Sequence, residues 1–245
     1  MVDVLKLGGS LLTDKTTPES VDEARLTRVA DALAGVESQE VVLIHGGGSF
    51  GHPAAERHGM SPSAGTADSA AVMDVTRAMR RLNDRVVDAL QGVGLRAVGV
   101  QPFSCCRRTA TGQLAICTEP IQAQRRGGFL PVLHGDVIVD VEAGATILSG
   151  DELAIVLAAS INADRIGFCA GVPGVLDASN EVIPRIESME TVSDVLSGAM
   201  GTDVTGGMAQ KVQSLLNSSI PSAIFGPDDL TSFLGGELPG TRIGE

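Results

Sequence analysis

The chain contains no tryptophan and no tyrosine, and only six phenylalanines among its 245 residues. Recognition by stacking on indole or phenol rings is therefore excluded. Lysine is almost as scarce: Lys6, Lys15 and Lys211 are the only three, and the other 18 − 3 = 15 basic residues are arginine. No basic run exceeds Arg107-Arg108 or Arg125-Arg126, and the formal net charge is −12. That balance does not suit non-specific nucleic-acid binding. Cysteine occurs at Cys105, Cys106, Cys117 and Cys169, without a C-x-x-C pair. No structural zinc site is expected, no metal-ligating set is assigned, and reduced cytoplasmic thiols are the default. No apolar run approaches the roughly 18 residues of a membrane span. Met1 leads almost directly into an apolar stretch without a charged n-region, so no secretory leader is expected either.

What remains is informative in its placement. The lysines sit in glycine-rich or turn-rich surroundings: Lys6-Leu7-Gly8-Gly9-Ser10, Thr13-Asp14-Lys15-Thr16, and Thr205-Gly206-Gly207-Met208-Ala209-Gln210-Lys211. Arginine would match their charge but not their shape, because lysine is a compact ammonium on a flexible stem. Positions that keep lysine in an arginine-rich chain are candidates for point-charge contacts to phosphate oxygens. The acidic excess suggests a chain kept soluble in concentrated salt by its carboxylates; a GC-rich coding sequence would also favour arginine over lysine.

At 245 residues the chain fits one large or two small domains. Apolar runs at residues 2–7, 41–44, 96–100, 130–133, 165–169 and 222–225 read as strands, and helical spacing marks 20–33, 68–90, 151–161 and 207–217. Residues 103–130 read as short strands or a hairpin, with a helix near 119–125. Strands alternating with helices argue for a mostly parallel sheet covered on both faces. Ligands on such sheets collect at the carboxyl ends of the strands, which is where Gly8-Gly9, Gly46-Gly47-Gly48, Gly135, Gly171 and Gly226 fall. A boundary between lobes is expected after about residues 140–148.

Backbone N–H groups converge on a phosphate most easily where side chains are missing. Gly8-Gly9-Ser10 and Gly46-Gly47-Gly48-Ser49 could form two such nests facing one crevice, suiting a phosphorylated donor and a phosphorylated acceptor, although either loop alone also reads as an ordinary tight turn. Gly46-x-Gly48-x-x-Gly51 with Asp68 downstream matches the dinucleotide fingerprint, a weak signal by itself. His52-Pro53 is an awkward continuation into a pyrophosphate helix, although proline is allowed in a first helical turn. No Gly-Lys dipeptide exists, so the P-loop is excluded. Beside a glycine nest His52 can donate to a phosphate oxygen; as a lone histidine at a helix start it also reads as a capping or packing residue. His45 ends an apolar strand and reads as structural, His58 has no constellation, and His134 reads as locally hydrogen-bonded. Asp151 opens an apolar helix after Ser149-Gly150. It can satisfy helix amides, orient two lysine ammoniums, or both.

Together, Lys6-Leu7-Gly8-Gly9-Ser10, Lys15, His45-Gly46-Gly47-Gly48-Ser49-Phe50-Gly51-His52, Ser149-Gly150-Asp151, Asp203-Val204-Thr205-Gly206-Gly207-Met208 and Lys211 resemble the amino acid kinase superfamily. Within it, the stretch through Ser49-Phe50-Gly51-His52 resembles the isopentenyl phosphate kinases, and Gly240-Thr241-Arg242-Ile243 resembles the family's closing segment. The resemblance implies an α/β fold, an open αβα sandwich with a mostly parallel central sheet. Residues 1–145 would form an acceptor lobe and 146–245 a nucleotide lobe. It implies phosphorylation of isopentenyl phosphate by ATP with Mg²⁺, in a cytoplasmic homodimer with no nucleic-acid or membrane partner. Carried over, Lys6, Leu7 and Gly8-Gly9-Ser10 would hold the donor phosphates, and Lys15 would stabilise the transferring phosphoryl group. Gly47, His52 and Gly150 would serve the acceptor. Gly48, Gly171, Gly207 and Lys211 would serve ATP, and Asp151 would organise the lysines.

After residues 165–169 the family carries an acidic Thr-Asp-Val-Asp-Gly-like turn, where this chain reads Ala170-Gly171-Val172-Pro173-Gly174-Val175. That puts the nucleoside contacts in question, not the lysine set. Phosphoryl transfer needs alignment and charge neutralisation more than covalent help, and an acceptor that is already a phosphate needs no strong base. The face at 72–79 is the candidate apolar wall of the acceptor pocket. Three alternatives stand beside this reading: a superfamily kinase of a phosphonate or another small acid, a non-catalytic nucleotide-binding regulator, and a dinucleotide oxidoreductase. His52 argues against an amino-acid acceptor but not against a phosphonate.

Overall fold

The computed structural model describes residues 1–14, 16–192 and 205–244. Lys15, Asp203 and Val204 lie outside the described residues.

Five of the runs read as strands form strands buried over their whole length, β1 (Asp3–Leu7), β2 (Val41–His45), β6 (Leu130–His134), β9 (Arg165–Cys169) and β11 (Ser222–Phe225). Strands apolar on both faces need helices on both sides. With β3 (Ala97–Gly99), β10 (Arg185–Ile186) and β12 (Thr241–Ile243) they form an eight-stranded sheet ordered β10-β12-β11-β9-β1-β2-β6-β3. Among the described residues only β11 and β12 pair antiparallel within it. The twofold alternation of strand side chains divides the core. Leu5, Leu7, Leu43 and Val132 pack with α1 (Glu23–Leu33), α3 (Ser69–Gly92) and α8 (Leu230–Leu234). Val4, Val42, Ile44 and Leu133 pack on the other side with α6 (Gly150–Ile161) and α7 (Thr205–Leu216). This is the αβα sandwich with a mostly parallel sheet.

Three features depart from the sequence reading. A second, four-stranded sheet ordered β5-β4-β7-β8 joins β4 (Cys106–Arg108), β5 (Leu114–Ile116), β7 (Asp136–Asp140) and β8 (Gly144–Leu148). Its β4–β5 pair is the hairpin expected between 103 and 130, whereas β7, β8, β10 and β12 fall where no strand was expected. Residues 102–105 form a single helical turn, α4 (Pro102–Cys105), ahead of α5 (Glu119–Arg126). Third, α2 (Gly48–Arg57) runs through Pro53. Proline lacks the N–H that would bond the carbonyl four residues back, and here the Ser49 carbonyl accepts from Glu19 N at 2.9 Å instead.

Register fixes the cleft. Leu7 is paired with His45 on one side and Cys169 on the other, His45 with His134, and Cys169 with Phe225. Five strands therefore stop at one level, and after four of them the next residue donates its N–H sideways: Gly8 to Cys169 O, Gly46 to Leu7 O, Gly135 to His45 O and Ala170 to Phe225 O. The two glycine loops then interlock. A Cβ on Gly9 would lie 2.3 Å from Gly48 N, and one on Gly48, at φ +48°, would lie 2.2 Å from Thr13 Oγ1. Thr13 is fully buried and stitches the loops together, donating from Oγ1 to Gly9 O at 2.9 Å and accepting from Ser49 N at 3.0 Å.

Replacing Thr13 with valine keeps the shape and strands the Ser49 N–H in the interior, at a cost of about 1–3 kcal/mol. Urea unfolding should show that loss with an unchanged slope; an unmoved midpoint would show that the stitch carries no stability.

Candidate active site

The aligned strand ends open on a cleft of about 640 Å³. Its polar rim is Lys6, Gly8, Gly9, Ser10, Gly47, Gly48, His52, Gly150, Asp151, Gly171, Gly207 and Lys211. The sequence-derived site residues thus converge, with two exceptions. Lys15 lies outside the described residues, and the Leu7 side chain is fully buried in the core. Leu7 meets the site through its backbone, its carbonyl accepting from Gly46 N at 3.0 Å.

Asp151 is the centre of charge. Its Oδ1 lies 2.6 Å from Lys6 Nζ and its Oδ2 3.2 Å from Lys211 Nζ. Oδ1 is buried, and its partner is the Lys6 ammonium. Burial pushes the Asp151 carboxyl up, but the charges of Lys6 and Lys211 outweigh it and hold the group below its ordinary range. Lys6 is only 8% exposed, and its ammonium passes over the Phe168 ring at 5.7 Å. Lys211 also donates to Gly207 O at 3.3 Å. Two cations sharing one carboxylate leave net positive charge facing the cleft. The N-termini of α2 and α6 border the same space, and α2 begins at Gly47 without a side-chain cap. Helix N-termini favour anions. The arrangement suits clustered phosphates.

Away from the cations the wall turns apolar. Val75 and Met79 of α3 line the cleft with Pro53, Ala55, Ile147 and Leu148. The 72–79 face is represented by these two residues, while Val72 is buried among the core side chains. Ile147 and Leu148 come from β8. His52 is exposed and lines the same cleft.

The other histidines are structural. His45 is fully buried, with Nδ1 near Gly46 O and Nε2 near Asn83 Oδ1, both at 3.1 Å, and burial lowers its pKa. His134 meets Gly135 O through Nδ1 at 2.9 Å, and burial pushes it down to about 3. His58 and Arg57 both reach Asp74 at 2.9 Å on the surface. Asp68, the acidic partner in the dinucleotide reading, caps α3 by accepting from Ala70 N at 2.8 Å.

Thr13 and Asp136 carried no motif and were missed. Asp136 lines the cleft at 2% exposure, accepting from Val137 N and Gln101 Nε2. Gly171 faces open space, a Cβ there meeting only Ser10 Oγ at 3.8 Å. Among the described residues no group of three or more His, Cys, Asp or Glu side chains could hold a metal. Both Asp151 oxygens are taken by ammoniums, so the described chain offers no resident Mg²⁺ cage. Magnesium that arrives with a nucleotide is held largely by phosphate oxygens and water.

A parallel-sheet sandwich that gathers lysines, glycine loops and helix N-termini at its strand ends defines a phosphate-handling protein of the small-molecule kinase kind. The amino acid kinase family matches residues 1–222, and the chain belongs to that family. It is 51% identical over 241 residues to the isopentenyl phosphate kinase of Haloferax volcanii, spanning 98% of this chain and 97% of that one. It is 34% identical over 260 residues to the isopentenyl phosphate kinase of Methanocaldococcus jannaschii, spanning 99% and 98%. A solved structure described as that of an isopentenyl phosphate kinase superposes with a TM-score of 0.84 at 27% identity, covering 99% of this chain and all of that one. Among the described residues no helix is long and apolar enough to cross a membrane.

Burial raises the Asp136 carboxyl to about 7, against the hydrogen bonds it accepts. The unfolded chain releases this proton near pH 4. Between those values only the folded protein holds the proton, so this contribution to stability is full below about pH 4 and is lost as pH rises through about 7. Asp136→Asn cannot titrate. Its stability should therefore gain on the unmodified protein between about pH 4.5 and 7.5, by up to roughly 4 kcal/mol. A pH-independent difference in urea unfolding would contradict the assignment.

Proposed function

We propose that the protein transfers the γ-phosphoryl group of ATP to isopentenyl phosphate, giving isopentenyl diphosphate. The observation that carries this reading is the Lys6–Asp151–Lys211 bridge at the floor of a cleft whose other wall is apolar. A donor with a phosphate chain and an acceptor with one phosphate and a short hydrocarbon tail match those two halves. Similarity to the isopentenyl phosphate kinases of Haloferax volcanii and Methanocaldococcus jannaschii supports the same acceptor.

In this reading Lys6 and Gly8-Gly9-Ser10 take the donor phosphates, with Gly48, Gly171, Gly207 and Lys211 on the nucleotide side. Gly47, His52 and Gly150 take the acceptor phosphate, and Val75, Met79 and Ile147 its tail. Lys15 stabilises the group in flight, and Asp151 sets the spacing of the other two lysines. Fixed ammoniums lower the barrier by meeting charge where it develops, without reorganising solvent. No general base is assigned, because the attacking oxygen already belongs to a phosphate. Mg²⁺ accompanies ATP and supplies charge neutralisation when bound. Division at residue 145 into acceptor and nucleotide lobes, a cytoplasmic homodimer and activity in concentrated salt belong to the same proposal.

ADP release from Mg-ATP in molar KCl should depend on isopentenyl phosphate and yield the diphosphate. No acceptor-dependent release from folded protein would discard this acceptor, and phosphonates would follow. Lys15→Ala should lower kcat more than it raises acceptor KM, and His52→Ala should mainly raise acceptor KM, by about ten-fold. Normal turnover in the first, or unchanged KM in the second, would refute that residue's role.

A further inference from the structure

Arg108 of β4 is only 6% exposed. All five donors of its guanidinium are engaged. Nε donates to Thr146 Oγ1 at 3.2 Å, Nη1 to Gly112 O at 3.3 Å and Nη2 to Ile147 O at 3.3 Å. The other two donors hold both oxygens of Glu152, at 2.7 and 2.8 Å. One side chain thus ties the β4–β5 turn, strand β8 and the first turn of α6 together. Ile147 is part of the apolar cleft wall, and Glu152 follows Asp151 directly.

The bonding at the start of α6 is unusual. Ser149-x-x-Glu152 has the spacing of a capping box, in which the glutamate folds back to the N–H of its own N-cap. Half of the box is present, Ser149 Oγ accepting from Glu152 N at 3.1 Å. The carboxylate instead reaches across to β4. Burying an arginine is costly, and well-packed apolar side chains would hold these elements together at least as well. What a bidentate guanidinium–carboxylate pair adds is direction, since its planar fork accepts one orientation. Here the direction it fixes is that of the helix turn carrying Asp151.

We propose that Arg108 is a positioning residue for phosphoryl transfer. Through Glu152 it fixes the rotation of the first turn of α6, and so the Asp151 carboxylate that spaces Lys6 and Lys211. Its bonds to Thr146 and to the Ile147 carbonyl lock the acceptor wall to the same turn. The proposal rests on the kinase reading above. It predicts that breaking the clamp loosens the lysine pair without removing any group that touches a phosphate.

The test compares Arg108→Met, Glu152→Ala, the double variant and Glu152→Gln, each first shown to unfold cooperatively by far-ultraviolet circular dichroism. Both single truncations should lower kcat about ten-fold or more, with the KM for ATP within about three-fold. The double should be no slower than the slower single, because one clamp is lost either way. Glu152→Gln still accepts from the guanidinium and should recover most of the rate. A second readout needs no acceptor: the ¹³C carboxyl signal that Asp151→Asn removes. In the truncations that signal should titrate at higher pH, because the ammoniums no longer bracket the carboxylate. Unmodified kcat with an unmoved titration, or losses that multiply in the double, would overturn the proposal. If Arg108→Met does not fold, Glu152→Ala decides, because it shortens a side chain that is one-third exposed. If the unmodified protein shows no acceptor-dependent turnover, the kinase reading fails by itself and the Asp151 titration alone decides the clamp.

Discussion

One carboxylate held between two ammoniums organises this molecule's cleft. Lys6 lies on a buried central strand, where an unpaired charge is costly. Asp151 supplies the missing charge at 2.6 Å and draws in Lys211 from a helix much later in the chain. Neither partner is comfortable alone, since Asp151 is itself penalised by burial and kept ionised by the lysines. The outcome is a preorganised cationic surface. Two positive side chains are held at a fixed spacing before any phosphate arrives, and one negative charge leaves the pair short of neutral. That residual charge is what a polyphosphate would meet.

The backbone gives this cluster its location. Five strands end in register, so the loops that follow emerge at one level and can touch. Gly9 and Gly48 pack backbone to backbone there, at a distance that no side chain could share. The glycines therefore have two duties. They let the loops meet, and they leave the N-terminus of α2 without a side-chain cap beside the cleft. The second sheet has a different part. Its strand β8 carries Ile147 and Leu148 into the cleft, turning a phosphate site into one with an apolar side.

Much of this was legible in the sequence, for reasons that particular residues make clear. Scarcity made the lysines conspicuous, because a chain that uses arginine everywhere else marks the places where a point charge is needed. The long buried runs at β1, β2, β6, β9 and β11 announced a parallel sheet, and the glycines at their ends announced the cleft. His45, read as structural, is buried at its strand end, and His134, read as locally hydrogen-bonded, meets Gly135 O. Four strands were not legible: β7 and β8, each as long as β1, form a hairpin whose apolar stretch is broken by Asp136 and Asp140, while β10 and β12 have only two and three residues and are held by pairing with distant segments. Thr13 looked like any turn threonine, and Asp136 like any acidic residue after a strand. Both matter because of distant atoms that burial brings to them. Pro53 read as awkward for a helix, yet α2 accommodates it because Glu19 N serves the carbonyl that proline leaves unpaired.

The most direct test of the account is steady-state turnover of Asp151→Asn with Mg-ATP and isopentenyl phosphate, alongside its unfolding curve. Asparagine keeps the size of the side chain and removes the charge that holds the lysines together. The account predicts a kcat lower by about a hundred-fold or more, the scale on which preorganised charge acts in transition states, in a protein that still unfolds cooperatively. A folded variant turning over within about two-fold of the unmodified protein would show that the lysine spacing does not depend on Asp151, and would contradict the account at its centre.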